Sequence, residues 1–214
     1  MNKSQLEAAK IADQVLAKLD VEAGLTEQSI ASQIKFFLRE YKSQPAFRII
    51  VASGKRSAKP HGFATNKKIK TGELVMVDFG ALYNGYRSDI TRTFVVGQPS
   101  KKQRKIYRIV KKAQAKAIKL VKAGRVCAEI DQAARDYIVA QGFGKYFIHT
   151  TGHGIGQKVH EAPKISKRNR HRIRGGQVIT IEPGIYIKGW GGVRIEDMVL
   201  VTEKGCKILT KAKK

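Results

Sequence analysis

The chain has 214 residues, 42% of them hydrophobic, with 42 Lys or Arg against 17 Asp or Glu and a formal charge of +25. That length and apolar content fit a globular chain rather than a disordered one, and allow one large domain or two small ones with a real core. No apolar run reaches the ~18 residues of a membrane span, residues 1–20 carry an amphipathic helical pattern rather than a signal peptide, and no membrane association is expected.

Two helices are expected at 4–20 and 26–42, with Gly24 and Thr26 at the break between them. "FRIIVAS" (47–53) reads as a short buried strand leading into "GKRSAKPHGFATN", a loop whose Gly and Pro exclude regular structure. Residues 73–96 read as consecutive strands about an Asn84-Gly85 hairpin turn. Ser100 with Gln103 makes a capping box for a long helix ended by Gly124. Its buried stripe is Ile106, Ile109, Val110, Ala113, Ala117, Leu120 and Val121. Another helix runs from about 129 to 141, stopped by Gly142, and a second β segment spans 177–202. Cys127 and Cys206 are too few for a disulfide framework and read as buried or free thiols of a reducing cytoplasm.

The two β segments are alike. "IKTGELVMVDFGALY" (69–83) lies on "IRGGQVITIEPGIYI" (173–187) without a gap, which sets Asp78 on Glu182 and Gly80 on Gly184. This self-similarity predicts two α+β halves related by a pseudo-twofold axis, each giving a hairpin to a shared antiparallel sheet.

Apolar strands exclude carboxylates, because burying an unpartnered charge is expensive. Four acids nevertheless interrupt them: Asp78, Asp89, Glu182 and Glu196. Any one alone reads as an acid near a turn, satisfied by backbone N–H groups or lysines. Four on two matched hairpins, with the loop "HTTGHGIGQKVHEAP" nearby, point to a metal site. Carboxylates with one or two imidazoles suit Mn²⁺, Fe²⁺, Co²⁺ or Zn²⁺. Two ions would offset the clustered charge and hold a bridging hydroxide. His153, between glycines, is the best imidazole candidate. His160-Glu161 does not open an HExxH helix, since Lys164 stands at the second histidine position and Pro163 breaks the helix. No serine nucleophile elbow or Walker loop is present, and His171 reads as a surface residue.

"VDFG…SDITRTF", "TGHGIGQKVHEAP", "TIEPGIYI" and "GVRIEDMVLVT" resemble the pita-bread metallopeptidases, specifically the Xaa-Pro dipeptidase and aminopeptidase P branch. The resemblance implies the pita-bread fold, with a curved antiparallel sheet covered by helices. It implies a site in which Asp78, Asp89, His153, Glu182 and Glu196 hold two divalent ions, manganese first, with Co, Zn or Fe as alternatives. Asp89 and Glu196 would bridge the pair, Asp78 would complete one ion, and His153 with Glu182 the other. Glu182 matches the family's general base, and His160 the histidine that contacts substrate. His61 matches a histidine that steadies the reacting amide. Arg194 would orient the ligating carboxylates, and His149 would lie by the substrate pocket. The implied reaction is hydrolysis of the N-terminal peptide bond of a substrate with proline in second position. Methionine aminopeptidases share fold and ligands, so methionine or broader aminopeptidase activity is an alternative. A catalytically silent module that binds nucleic acid or protein is another.

Three departures from the family stand out. The resemblance makes residues 1–214 a single catalytic domain without the branch's usual N-terminal domain, which leaves dipeptide restriction and monomer versus homodimer open. Lys55-Arg56 stands where relatives have Pro-Asn, and its charge is expected at the pocket rim. Finally, "SKKQRKIYRIVKKAQAKAIKLVKAGR" carries eleven Lys or Arg and no acid: a solvated face, or one that docks to ribosomal RNA.

Overall fold

The computed structural model describes residues 2–214. The first half contains α1 (Lys3–Ala17), α2 (Glu27–Glu40), β1 (Gln44–Pro45), β2 (Ile50–Ser53), β3 (Leu74–Phe79), β4 (Ala81–Tyr83), β5 (Tyr86–Arg87) and β6 (Ile90–Val95). The second contains α3 (Lys101–Leu120), α4 (Cys127–Ala140), β7 (Gly152–Gly154), β8 (Glu161–Ile165), β9 (Val178–Ile181), β10 (Gly184–Ile187), β11 (Gly191–Arg194), β12 (Asp197–Val201) and β13 (Cys206–Ile208).

The duplication read from the two β segments extends through the helices. Thr26 and Val126, the N-cap residues of α2 and α4, bridge to Lys68 and Arg172 respectively. Gly24 N–H donates to the Ile69 carbonyl at 2.9 Å, and Gly124 N–H to that of Ile173 at 2.8 Å. Ile69 and Ile173 are the first pair of the internal alignment. Each half thus ties the start of its second helix to the segment that enters its central strand.

Each helix pair covers its own antiparallel sheet. Ile11, Val15, Ile30, Ile34 and Leu38 of α1 and α2 pack on Val75, Val77 and Phe79. Ile106, Val110, Ala113, Ile130 and Ile138 of α3 and α4 pack on Ile179, Ile181 and Val199. The stripe expected on α3 is buried except for Leu120, which is half-buried, and the capping box at Ser100 forms. The sheets are ordered β2-β3-β6 and β13-β12-β9-β7-β8.

The expected shared sheet is in fact two sheets, joined where Thr91 bridges to Glu196. The hairpins at the two turns also leave these sheets. β4 and β5 pair with β1, while β10 pairs with β11 alone. Gly80 permits the departure, since a Cβ there would overlap the Ser88 carbonyl. Boundaries move as well: α1 stops at Ala17, α4 starts at Cys127, and the strand expected at 47–53 is regular only from Ile50. The loop read as irregular holds one 3-10 turn, Gly54–Ala58, entered through Gly54 at φ +55°.

Candidate metal centre

The acids occupy equivalent strand ends around the junction of the sheets. Asp78 is the penultimate residue of β3 and Asp89 immediately precedes β6, while Glu182 immediately follows β9 and Glu196 immediately precedes β12. His153 sits mid-strand in β7, where its N–H donates to Thr180 Oγ1 at 3.1 Å. The neighbouring Gly152 and Gly154 have no room for a Cβ against the Thr180 and Ala162 carbonyls. Flanking glycines therefore let this strand enter the sheet closely enough to present its imidazole.

Asp89, His153 and Glu196 are buried, and each offers a ligating atom within 4.8 Å of the others. His153 Nε2 also lies 3.3 Å from Glu182 Oε1. Its Nδ1 is 3.0 Å from the Gly154 carbonyl, and an N–H donated there leaves the Nε2 lone pair facing the carboxylates. Asp78 is held by the Arg194 guanidinium. Asp78 Oδ1 and Asp89 Oδ1 are buried with no partner among the described residues. Buried carboxylate oxygens rarely go unpartnered, and this donor set of four carboxylates and one imidazole fits divalent metal ions.

Burial, then the neighbouring carboxylates, pushes Asp89 and Glu196 well above the ordinary carboxylate range. Burial likewise raises Asp78 against the opposing charge of Arg194. For Glu182 burial also acts upward, but the His153 hydrogen bond and the charges of His149, His153 and Arg194 prevail and bring it to about 2. Burial disfavours the His153 imidazolium, yet the Glu182 contact raises it overall. Without metal, then, the fold favours the protonated forms of Asp89, Glu196 and His153 and the ionised form of Glu182.

Arg194 is a hub that connects the carboxylates to the rest of the cavity. Its Nη2 holds Asp78, its Nε donates to Thr91 Oγ1 at 3.1 Å, and its Nη1 donates to Tyr186 Oη at 2.7 Å. Thr91 in turn donates to Glu196 Oε2 at 2.6 Å. Tyr186 Oη lies 2.8 Å from His149 Nε2, whose Nδ1 is 2.7 Å from the Thr150 carbonyl. Burial lowers His149, and it raises Tyr186 to about 12, which favours the neutral form of both. Thr91, Thr180 and Tyr186 did not emerge from sequence reasoning. Hydroxyls in strands are unremarkable until the fold shows which acid or imidazole they face.

The histidine loop is anchored to α4. Asp131, fully buried, accepts from Thr151 N–H at 3.2 Å, from Thr151 Oγ1 at 2.8 Å, and from both Nε and Nη2 of Arg135. Arg135 also donates to the Phe147 and His149 carbonyls. All nine residues expected at the site line one cavity of about 640 Å³: His61, Asp78, Asp89, His149, His153, His160, Glu182, Arg194 and Glu196. His61 and His160 are exposed within it, and the His160 ring lies edge-on to His153 at 4.4 Å. His171 lies outside and is exposed.

Residues 4–203 match the model of metallopeptidase family M24. The chain belongs to that family. It is 50% identical to a Xaa-Pro dipeptidase of Pyrococcus furiosus over 210 residues, which cover 97% of this chain and 60% of the relative. Among solved structures it is similar to prolidase from Pyrococcus furiosus, with a TM-score of 0.98 and 47% identity over 99% of this chain and 64% of that one. It is also similar to X-Pro aminopeptidase from Thermotoga maritima, with a TM-score of 0.96 and 41% identity over 99% and 61% respectively. The two-halved architecture is the pita-bread fold of family M24, and the chain spans about 60% of the length of the curated relatives it matches.

One expectation drawn against the family pattern fails. Arg56 does not charge the rim of this M24 cavity. It pairs with Glu27, which is fully buried, and donates to the Phe63 carbonyl at 2.9 Å. A buried carboxylate requires a partner, and Arg56 supplies it. Lys55 is exposed and does not line the cavity. The cations that do line it, besides Arg194, are Arg48, stacked on Phe63 at 3.9 Å, and Lys164.

Proposed function

We propose that this chain is the catalytic domain of a dinuclear metallopeptidase that hydrolyses the N-terminal peptide bond of substrates with proline in second position. The observation that carries the reading is the buried cluster of Asp89, His153 and Glu196, extended by Asp78 and Glu182, on the wall of a cavity sized for a small peptide. Asp78, Asp89, His153, Glu182 and Glu196 would hold two divalent ions, with manganese the first choice. When bound, such ions supply Lewis acidity and a water that is nucleophilic near neutral pH.

The remaining roles belong to the chain's own groups. Glu182, ionised and facing the cavity, accepts the proton of the attacking water and passes it toward the leaving nitrogen. His160 and His61 flank the scissile peptide, where their exposed ring nitrogens donate to or accept from the reacting amide. Arg194 keeps Asp78 and Glu196 oriented through its direct contact and through Thr91. The Tyr186 hydroxyl fixes the His149 ring on the pocket wall. Arg48 and Lys164 give that wall positive charge suited to a peptide carboxylate, which favours short substrates.

The test is a panel of Xaa-Pro, Xaa-Pro-Xaa and Met-Ala peptides assayed with Mn²⁺, Co²⁺ and Zn²⁺ separately, alongside metal content. The expected result is about two ions per chain and cleavage of Xaa-Pro bonds, both lost in Asp89→Ala. Cleavage of Met-Ala in preference to Xaa-Pro would move the assignment to a methionine-type aminopeptidase. No cleavage by the metal-loaded protein would leave the silent module.

A further inference from the structure

The charge of the chain is not spread evenly, and the peptidase cavity does not use most of it. No acid occurs between Asp89 and Glu129, between Glu161 and Glu182, or after Glu203. The fold brings parts of these three acid-free stretches together. Gly124 N–H donates to the Ile173 carbonyl at 2.8 Å, and Arg172 Nη1 donates to that of Gly124 at 2.7 Å, which sets the basic connector 167–174 at the C-terminal end of α3. β13 lies along the same end, with Cys206 Sγ 3.6 Å from the Ile118 carbonyl. Lys204 and Lys207 therefore extend the surface begun by α3.

On α3 itself, all nine Lys and Arg are exposed, and the only other exposed residue is Ala115. None of the nine forms an ion pair among the described residues, and none lines the cavity. This arrangement is unfavourable in isolation. Like charges four residues apart repel along Arg104, Arg108, Lys112 and Lys116, and Lys101 and Lys102 stand at the positive end of the helix dipole. A polyanion laid along the helix relieves both.

We propose that the exposed face of α3, continued by the 167–174 connector and β13, binds the phosphodiester backbone of a nucleic acid. The row of cations is about 30 Å long, and a duplex presents about one phosphate charge per 1.7 Å of its axis over that span. The α3 part of the face has no exposed large apolar side chain, and β13 adds a single one, Ile208 at 37% exposure, too little to enter a bilayer or to form the apolar centre of a protein interface. Binding through phosphates alone is independent of base sequence, and it stands apart from the peptidase reading.

The experiment is fluorescence anisotropy of the whole chain with duplex RNA and duplex DNA of about 20 base pairs across a salt series. The expected result is low-micromolar or tighter affinity at low salt, with a slope of log affinity on log salt near −5, as for about six neutralised phosphates. Arg108→Glu, Lys112→Glu and Lys119→Glu together should weaken binding at least tenfold and lower the slope by about 3. The matching Gln triple, which keeps helix propensity, should lower the slope by the same amount and guards against a folding defect in the Glu variant. Lys35→Glu, Lys55→Glu and Lys70→Glu together, an equal change of net charge on exposed residues elsewhere, should leave the slope unchanged. Tighter binding of one duplex type assigns RNA or DNA. Equal losses in both Glu triples would overturn the proposal in favour of diffuse charge. Binding to phosphatidylserine vesicles without binding to either duplex would overturn it too, as would no binding at all.

Discussion

Asp131→Ala should destabilise the protein and loosen the metal centre together, although Asp131 touches no candidate ligand. Its carboxylate, fully buried, accepts four hydrogen bonds: two from Thr151 and two from Arg135. Truncation strands the Thr151 N–H in the interior, which costs about 1–3 kcal/mol. It also leaves the Arg135 guanidinium without its counter-ion. A fully buried pair broken on one side costs about 3–5 kcal/mol, but Arg135 is 22% exposed and water recovers part of that. The expected loss is about 3 kcal/mol. Asp131→Asn keeps an acceptor for Thr151 and loses only the charged fork, so about 1–2 kcal/mol is expected. The Thr151 carbonyl accepts from Glu182 N–H at 2.7 Å, and His153 lies two residues on, so a shifted loop displaces two candidate ligands at once. Metal affinity in Asp131→Ala should fall about 10–100-fold, the usual effect of losing an outer support of a ligand. Urea denaturation of the metal-free protein measures the first effect, and chelator competition the second. A stability loss below about 1 kcal/mol with unchanged metal affinity would refute the reasoning.

Three further outcomes follow from the site and its scaffold. In metal-free protein, Asp89 and Glu196 are raised in the fold, so between the unfolded carboxylate pKa, about 4, and their folded values the native state binds more protons than the unfolded state. Stability should therefore fall as pH rises through that window, whereas the contribution of Glu182, depressed to about 2, is already complete above about pH 5 and is lost only in stronger acid. Urea midpoints against pH test the sign, and calorimetry in buffers of different ionisation enthalpy should show protons released on metal binding; a flat profile without release contradicts the charge assignment. Tyr186→Phe removes the hydroxyl between Arg194 and His149 and should cost about 1–2 kcal/mol in stability and lower kcat while metal content stays constant, with loss of metal counting against the proposed geometry. Gly80→Ala places a methyl on the Ser88 carbonyl and should abolish folding or cost several kcal/mol, whereas Gly85→Ala, with open space at its Cβ and φ +80°, should cost only about 1 kcal/mol, as read by thermal unfolding.

Much of the architecture is legible in the chain because it rests on local rules. The α3 stripe follows from a 3.6-residue period, the Ser100 cap from a side chain reaching three residues on, and the repeat from strands that place the same residue types at the same steps. The acids announced themselves by breaking apolar strands, and all four reached one cavity. Boundaries shifted by a few residues where packing, not propensity, ends an element, as at the start of α4.

What tertiary structure alone decided are the pairings between distant residues. The sequence places Arg194 two positions before Glu196, but not against Asp78, Thr91 and Tyr186 on three separate fingers of hydrogen bonding. It displays Arg56 as an odd charge beside a pocket histidine, and the fold spends that charge on buried Glu27. It scatters bases over three stretches, and the fold meets them at the end of α3. The division has one physical reason: periodicity and turn chemistry act over a few residues, whereas a buried charge is satisfied by whatever the packed chain brings within about 3 Å of it.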